Sequence, residues 1–219
     1  MTPISLQGLL GDTKVRVTLG EKFEIAKALC NSVFQLHSRN WLHKNLRPDN
    51  IIFFSGDAER KKGRKLAISA TTGPYVIGYY HGRPDYDLFL SDLTSGEKGT
   101  EQSLHQHPGY KSGGNRFQKA YDYYGLGIIL LELAFWRPAK ELREEQERKS
   151  ASKTGEPLQG MFHRTYVTKL AEVMGKLYME ATKFCLNGVT DCDEEYVAWD
   201  DVSDFYTNVV SKLDACHVG

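Results

Sequence analysis

Apolar residues between positions 21 and 39, EKFEIAKALCNSVFQLHSR, recur at helical spacing. Phe23, Ala26, Cys30 and Val33 share one stripe, with Ile25, Leu29 and Leu36 beside it, so the spacing predicts a helix. The polar stretch LHKNLRPDN follows, then Ile51, Ile52, Phe53 and Phe54, a short continuous apolar run of strand type. Residues 55–65 are charged and hold two glycines, and Leu66, Ala67 and Ile68 resume an apolar run, which predicts a hairpin. A further short strand is predicted at Tyr75–Ile77, after Gly73 and Pro74. From His81 to Gly114 no period is visible; so long an irregular segment signals either a functional loop or disorder.

Between Phe117 and Trp136 apolar residues cover nearly every face of a predicted helix, which places it in the centre of the domain. Residues 140–157 are charged and predict an exposed helix end leading into a mobile loop. A helix over 167–186 should stop at Asn187-Gly188, and another over 200–215 carries Val202, Phe205, Val209 and Leu213.

At 219 residues, 41% hydrophobic and 26% charged, the chain is sized for one globular domain. Lys plus Arg and Asp plus Glu balance at 28 each, so no overall field draws it to nucleic acid or an anionic membrane. The start, MTPISLQGLLGDTKVRV, lacks the apolar core of a signal peptide, and no stretch is long and uncharged enough for membrane insertion. A cytoplasmic setting is expected. In that setting Cys30, Cys185, Cys192 and Cys216, none at CxxC spacing, read as reduced thiols rather than disulfides or zinc ligands.

The stretch His43-Lys44-Asn45-Leu46-Arg47-Pro48-Asp49-Asn50 resembles the protein-kinase catalytic loop H-R-D-L-x-x-x-N, between a helix and an apolar strand. Downstream, Tyr121-Asp122-Tyr123-Tyr124-Gly125-Leu126-Gly127 looks like the opening of the family's central helix. Val76-Ile77-Gly78-Tyr79-Tyr80 occupies the place of the strand into Asp-Phe-Gly, and His107-Pro108-Gly109 that of Ala-Pro-Glu. The resemblance implies a mainly α fold with small β-hairpins, a kinase-like C-terminal lobe over 20–215, with the N-lobe absent. Residues 1–19 are expected to form a hinge-like or disordered segment. It also implies that Asp122 is a structural anchor accepting hydrogen bonds from loop backbone near His43, and that His43 packs in the core.

The departures from the family pattern decide the functional expectation. Asn45 stands where the family has the Asp that accepts the substrate proton, and a neutral amide cannot act as that base. Gly78 stands where the magnesium-binding Asp belongs, and it offers no ligand. Asn50 matches the second metal-ligand position and is the one candidate for cofactor binding, with Arg47 a cation nearby. Gly109 replaces a glutamate that in the family pairs with an arginine, and nothing before residue 20 resembles a Gly-rich phosphate loop. No catalytic residue is intact, so neither ATP nor magnesium is expected to be needed.

Arg83-Pro84, His-Pro-Gly-Tyr and Cys-Leu-Asn-Gly at 185–188 are together similar to degenerate kinase-like domains of fungal HeLo and incompatibility-type proteins. His81, His105 and His107 lack ligand spacing for a metal, and the basic run Arg60 to Lys65 reads as a solvated turn. Trp41, Tyr79, Tyr80 and Tyr110 lack interleaved basic residues and are assigned to packing rather than base stacking. The expectation is a pseudokinase C-lobe that binds a protein partner, or an N-terminal domain of a longer product, through residues 81–114. The alternatives are a divergent ATP-binding kinase complete only in a longer product, and a non-functional truncated fragment.

Overall fold

The computed structural model describes residues 1–55, 66–68, 71–79, 82–84, 102–110, 116–149, 163–187 and 201–218. Its first strand, β1 (Thr2–Ser5), ends on Ser5, whose hydroxyl caps helix α1 (Leu6–Leu9) by accepting from the Gly8 N–H at 3.2 Å. Strand β2 (Val15–Arg16) follows. The span 1–19, for which the sequence predicts a hinge-like or disordered segment, therefore carries β1, α1 and β2. Ile4, Leu6, Leu9 and Leu10 are buried, and their apolar area anchors it to the core.

Helix α2 (Leu19–His37) starts four residues before Phe23, the first residue of its apolar stripe. Thr18 and Glu21 form a capping box in which the Thr18 hydroxyl accepts from the Glu21 N–H at 3.2 Å and the Glu21 carboxylate accepts from the Thr18 N–H at 2.6 Å. Strand β3 (Trp41–Leu42) leads into the loop, which closes in a 3₁₀ turn at Pro48–Asn50 and enters β4 (Ile51–Ser55). Then come β5 (Leu66–Ala67), β6 (Thr71–Val76), β7 (Arg83–Pro84) and helix α3 (Gln102–His105).

The predicted hairpin between 51–54 and 66–68 does not form. The sheet has the order β1-β4-β6, with β4 antiparallel to both neighbours, while β5 pairs with β2 in parallel and β3 with β7. Cross-strand contact explains the choice. Ile52 lies opposite Tyr75, and the Phe54 ring meets the Tyr75 ring edge-on at 5.6 Å, a partner that the two-residue β5 does not supply. On the inner face Ile4, Ile51 and Phe53 join the core.

Helix α4 (Lys119–Phe135) is buried from Lys119 to Ala134, matching the all-round apolar pattern of its sequence. It stops at Trp136, which takes the left-handed conformation at φ 52°. Helix α5 (Ala139–Lys149) follows. A wide turn at His163–Val167 precedes α6 (Thr168–Met174) and α7 (Lys176–Asn187). The single helix predicted over 167–186 is thus broken, because Gly175 sits at φ +83°. The last span runs through α8 (Val202–Phe205), a wide turn at Tyr206–Val210, and α9 (Ser211–Asp214).

The result is a mostly helical architecture with a small sheet. No helix among the described residues is long and apolar enough to cross a membrane. Of the predicted irregular segment 81–114, only 82–84 and 102–110 lie within the described residues, and the loop predicted after residue 149 lies outside them until His163. Cys30, Cys185 and Cys216 are free and buried, burial raising the pKa of each thiol, and Cys192 is outside the described residues.

Two glycines of α4 set how close its neighbours come. A Cβ on Gly127 would lie 2.8 Å from Leu186 Cδ2 of α7. A Cβ on Gly125 would lie 2.9 Å from the Leu46 carbonyl of the loop and 3.1 Å from that of His105. Backbone atoms cannot swing aside, so Gly125→Ala should push the loop and α3 off the helix. The expected cost is about 2 kcal/mol, a fall of roughly 4–8 °C in Tm in thermal unfolding; an unchanged Tm would refute the close approach.

Candidate functional site

The loop after α2 is organised by one buried carboxylate. Asp122, in the first turn of α4, accepts from the His43 backbone N–H at 2.7 Å through Oδ2 and from the Lys44 N–H at 2.9 Å through Oδ1. His37, the last residue of α2, donates from Nε2 to Oδ2 at 3.0 Å. Lys44 adopts φ 67°, in the left-handed region, and this turn aims consecutive N–H groups at one anion. The His37 and His43 donors would otherwise be buried without water and the Lys44 amide partly so, and the carboxylate ties the end of α2 and the loop to α4.

Beyond Asp122 the loop closes on the end of β6 through a ring of hydrogen bonds. His43 Nδ1 accepts from the Asn45 N–H at 3.3 Å, which leaves the proton on Nε2; Nε2 donates to the Ile77 carbonyl at 2.9 Å. The Ile77 N–H donates to the Asn50 carbonyl at 2.8 Å, and Asn50 Nδ2 returns to the Asn45 carbonyl at 2.8 Å. The Tyr79 ring covers the imidazole, centroids 4.9 Å apart. Burial lowers the His43 pKa below the ordinary 6.5, with His37 adding to the drop while the Asp122 charge and the bond to Ile77 oppose it.

The family resemblance implies a magnesium ion beside this loop. Magnesium takes oxygen ligands, usually including carboxylates, in a near-octahedral shell. Gly78, at φ +90°, supplies no side chain, and a Cβ built on it would lie 2.8 Å from Asn50 Cγ. The Asn50 carboxamide bonds to the loop through Nδ2, so it could offer a metal one neutral oxygen, Oδ1, and no charge. Asp49 is exposed and lies 3.7 Å from Arg47 Nε. A magnesium ion does not fit this set.

Asn45 is half-buried beside His43 and carries no acid or base group. His105 and His107 do not converge on a metal position; no group of three or more His, Cys, Asp or Glu side chains that could hold one occurs among the described residues, and His81 lies outside them. His107 instead accepts at Nδ1 from the Gly109 N–H at 2.9 Å and stacks on Tyr121 at 4.7 Å. Trp41 and Tyr79 are nearly half exposed, Tyr110 packs against Phe117 at 5.1 Å, and Tyr80 and the basic run 60–65 lie outside the described residues.

Sequence reading missed a second buried carboxylate. Glu132 accepts from His105 Nε2 at 3.0 Å and from the Ala139 N–H at 2.7 Å, joining α3 and the start of α5 to α4. The signal was present: Glu132 is the one charged residue in the run GLGIILLELAFW, and a lone charge on a helix buried all round needs buried partners. His37 was missed for the opposite reason, since a histidine at a helix end has an ordinary solvated reading.

Asp122→Asn leaves one acceptor oxygen for three donors and should cost about 3 kcal/mol, a fall of roughly 6–12 °C in Tm; retention of the parent Tm would contradict the anchoring role. The lowered His43 pKa has a definite sign. The unfolded chain takes up the proton first as pH falls, so stability present above 6.5 is lost as pH drops from there toward the lower folded value. Imidazole NMR should show His43 as the Nε2–H tautomer titrating below 6.5, and a midpoint at or above 6.5 would contradict the ring.

Residues 2–216 match the family described as "Domain of unknown function (DUF7580)". A serine/threonine-protein kinase ssn3 of Aspergillus clavatus is 29% identical over 148 residues, 67% of this chain and 29% of that protein. The ssn3 kinase of Aspergillus terreus is 29% identical over 167 residues, 76% of this chain and 32% of its own. The SSN3 kinase of Coccidioides immitis is 27% identical over 147 residues, 67% of this chain and 27% of its own. The chain spans about three-tenths of the length of these curated relatives. It belongs to the DUF7580 family and carries a region distantly related to serine/threonine-protein kinases.

Proposed function

We propose that this domain is a catalytically impaired, pseudokinase-type C-lobe that acts in signalling by binding protein, either a separate partner or an N-terminal domain of a longer product. The observation that carries the reading is a kept frame with replaced chemistry. Asp122 gathers the loop amides of His43 and Lys44, while Asn45 and Gly78 stand at the two positions where phosphoryl transfer needs carboxylates. Loss of the base alone costs roughly 100- to 10,000-fold in rate, and loss of the metal carboxylate removes the charge neutralisation on which the reaction depends. A surface for a partner is at hand: Tyr75, Ile77 and Tyr79 are 50%, 44% and 47% exposed, beside the half-buried Ile52 and Phe54. A cytoplasmic setting is part of the same proposal.

A second reading, a divergent ATP-binding kinase complete only in a longer product, is favoured by the kinase names of the relatives and by the three-tenths of their length that the chain spans. In that reading Asn50 and Arg47 serve a divergent nucleotide site.

Thermal unfolding with millimolar ATP, with and without magnesium, separates the two. A ligand at 100 times its Kd stabilises by about 2.7 kcal/mol. No shift is expected; a magnesium-dependent rise in Tm would overturn the first reading in favour of the second. For the binding role, capture of a partner by the parent protein should be lost in an Ile77→Lys variant of unchanged Tm, since the Ile77 side chain is exposed and its hydrogen bonds are made by backbone atoms. Equal capture by both would remove this face from the proposal.

A further inference from the structure

The geometry around Gly78 goes beyond the absence of a ligand. We propose that the loop and the end of β6 are closed by a protein-only hydrogen-bonded ring where the kinase resemblance places magnesium, and that Asn50 is a positioning strut of this ring rather than a metal ligand.

The ring runs from His43 to the Ile77 carbonyl, from the Ile77 N–H to the Asn50 carbonyl, from the Asn50 carboxamide to the Asn45 carbonyl, and from the Asn45 N–H back to His43. Each member donates once and accepts once within it; His43 and Asn50 are buried and Asn45 half-buried, while Ile77 joins through its backbone and leaves its side chain exposed. Such a network specifies one arrangement, because loosening any member leaves a buried donor or acceptor without its partner.

Gly78 is what allows the strut to stand. A Cβ at this position would lie 2.8 Å from both Asn50 Cγ and Nδ2 and 3.0 Å from Oδ1, so the carboxamide fills the space where any side chain at 78 would begin. To yield that space Asn50 must shift or turn its amide, which strains its 2.8 Å bond to the Asn45 carbonyl. A side chain at 78 therefore presses directly on the strut that holds the ring. Asn50 retains the residue type of a ligand position, but its Nδ2 is held by the Asn45 carbonyl and its Oδ1, a single neutral oxygen, has no carboxylate at 78 to share a metal with. Restoring Asp at 78 alone would not rebuild a metal site; it would disrupt the closure.

This closure does not depend on a protein partner, so it can fail while the interaction reading survives, and the reverse also holds. A double-mutant cycle tests it. Gly78→Ala should lower Tm by roughly 5 °C or more, from the collision with Asn50 and the strain of a side chain at positive φ. In an Asn50→Ala background the collision is gone and only the strain remains, so the further loss caused by Gly78→Ala should fall to less than half. Equal losses in the two backgrounds would show that Asn50 does not fill the space and would overturn the proposal. If the variants fail to fold, the parent protein still decides. The Asn50 side-chain amide protons should exchange slowly and keep their NMR shifts in 10 mM magnesium chloride. Saturable magnesium-induced shifts at Asn50 would overturn the strut in favour of a ligand.

Discussion

Three donors converge on the carboxylate of Asp122, and much of the structure depends on that convergence. The His43 and Lys44 amides and the His37 imidazole reach it from the loop and from the end of α2, while Asp122 itself is fixed by the first turn of a helix buried along nearly its whole length. Without it the loop would carry buried amides with no acceptor, and the chain between α2 and β4 would lose its fixed path. Gly125, one turn further along α4, completes the arrangement by letting the Leu46 carbonyl rest on the helix backbone.

From this anchor the loop extends to Asn50 and closes back on β6 through groups that are neutral at ordinary pH. Where the kinase resemblance predicts charge, in a base and a metal carboxylate, the chain has an amide and a glycine: Asn45 and Gly78. Charge is kept where it supports architecture, at Asp122 and at Glu132 with its His105 partner. Buried charges of the first kind would need a metal or substrate to compensate them, whereas those of the second are satisfied within the chain.

The helices were legible because their patterns are strong. The stripe from Phe23 to Val33 and the all-apolar run around Ile128 admit one reading each, and the loop was found by its spacing between them. The strand pairing was not legible: Ile51 to Phe54 announces a strand, but its partners, Thr2–Ser5 and Thr71–Val76, are chosen by tertiary contacts such as Phe54 with Tyr75. The break at Gly175 lies inside an amphipathic pattern that continues on both sides of it. In the site, the positions of Asp122, His43, Asn45, Asn50 and Gly78 followed from the kinase-like motif. Their closure into a ring did not, because each of its four bonds uses a backbone group of the kind that every residue carries. The Glu132 to His105 link was hidden for a related reason, since it joins residues 27 positions apart whose proximity only the packing of α3 on α4 creates.

Native-state hydrogen exchange of the His43, Lys44, Asn45 and Ile77 amides tests most directly whether the protein holds this site closed by itself. These amides should be among the slowest to exchange, with rates unchanged by magnesium and ATP. Fast exchange that slows only when magnesium and ATP are added would contradict the account, because the loop would then depend on a ligand for the order assigned here to Asp122 and the ring.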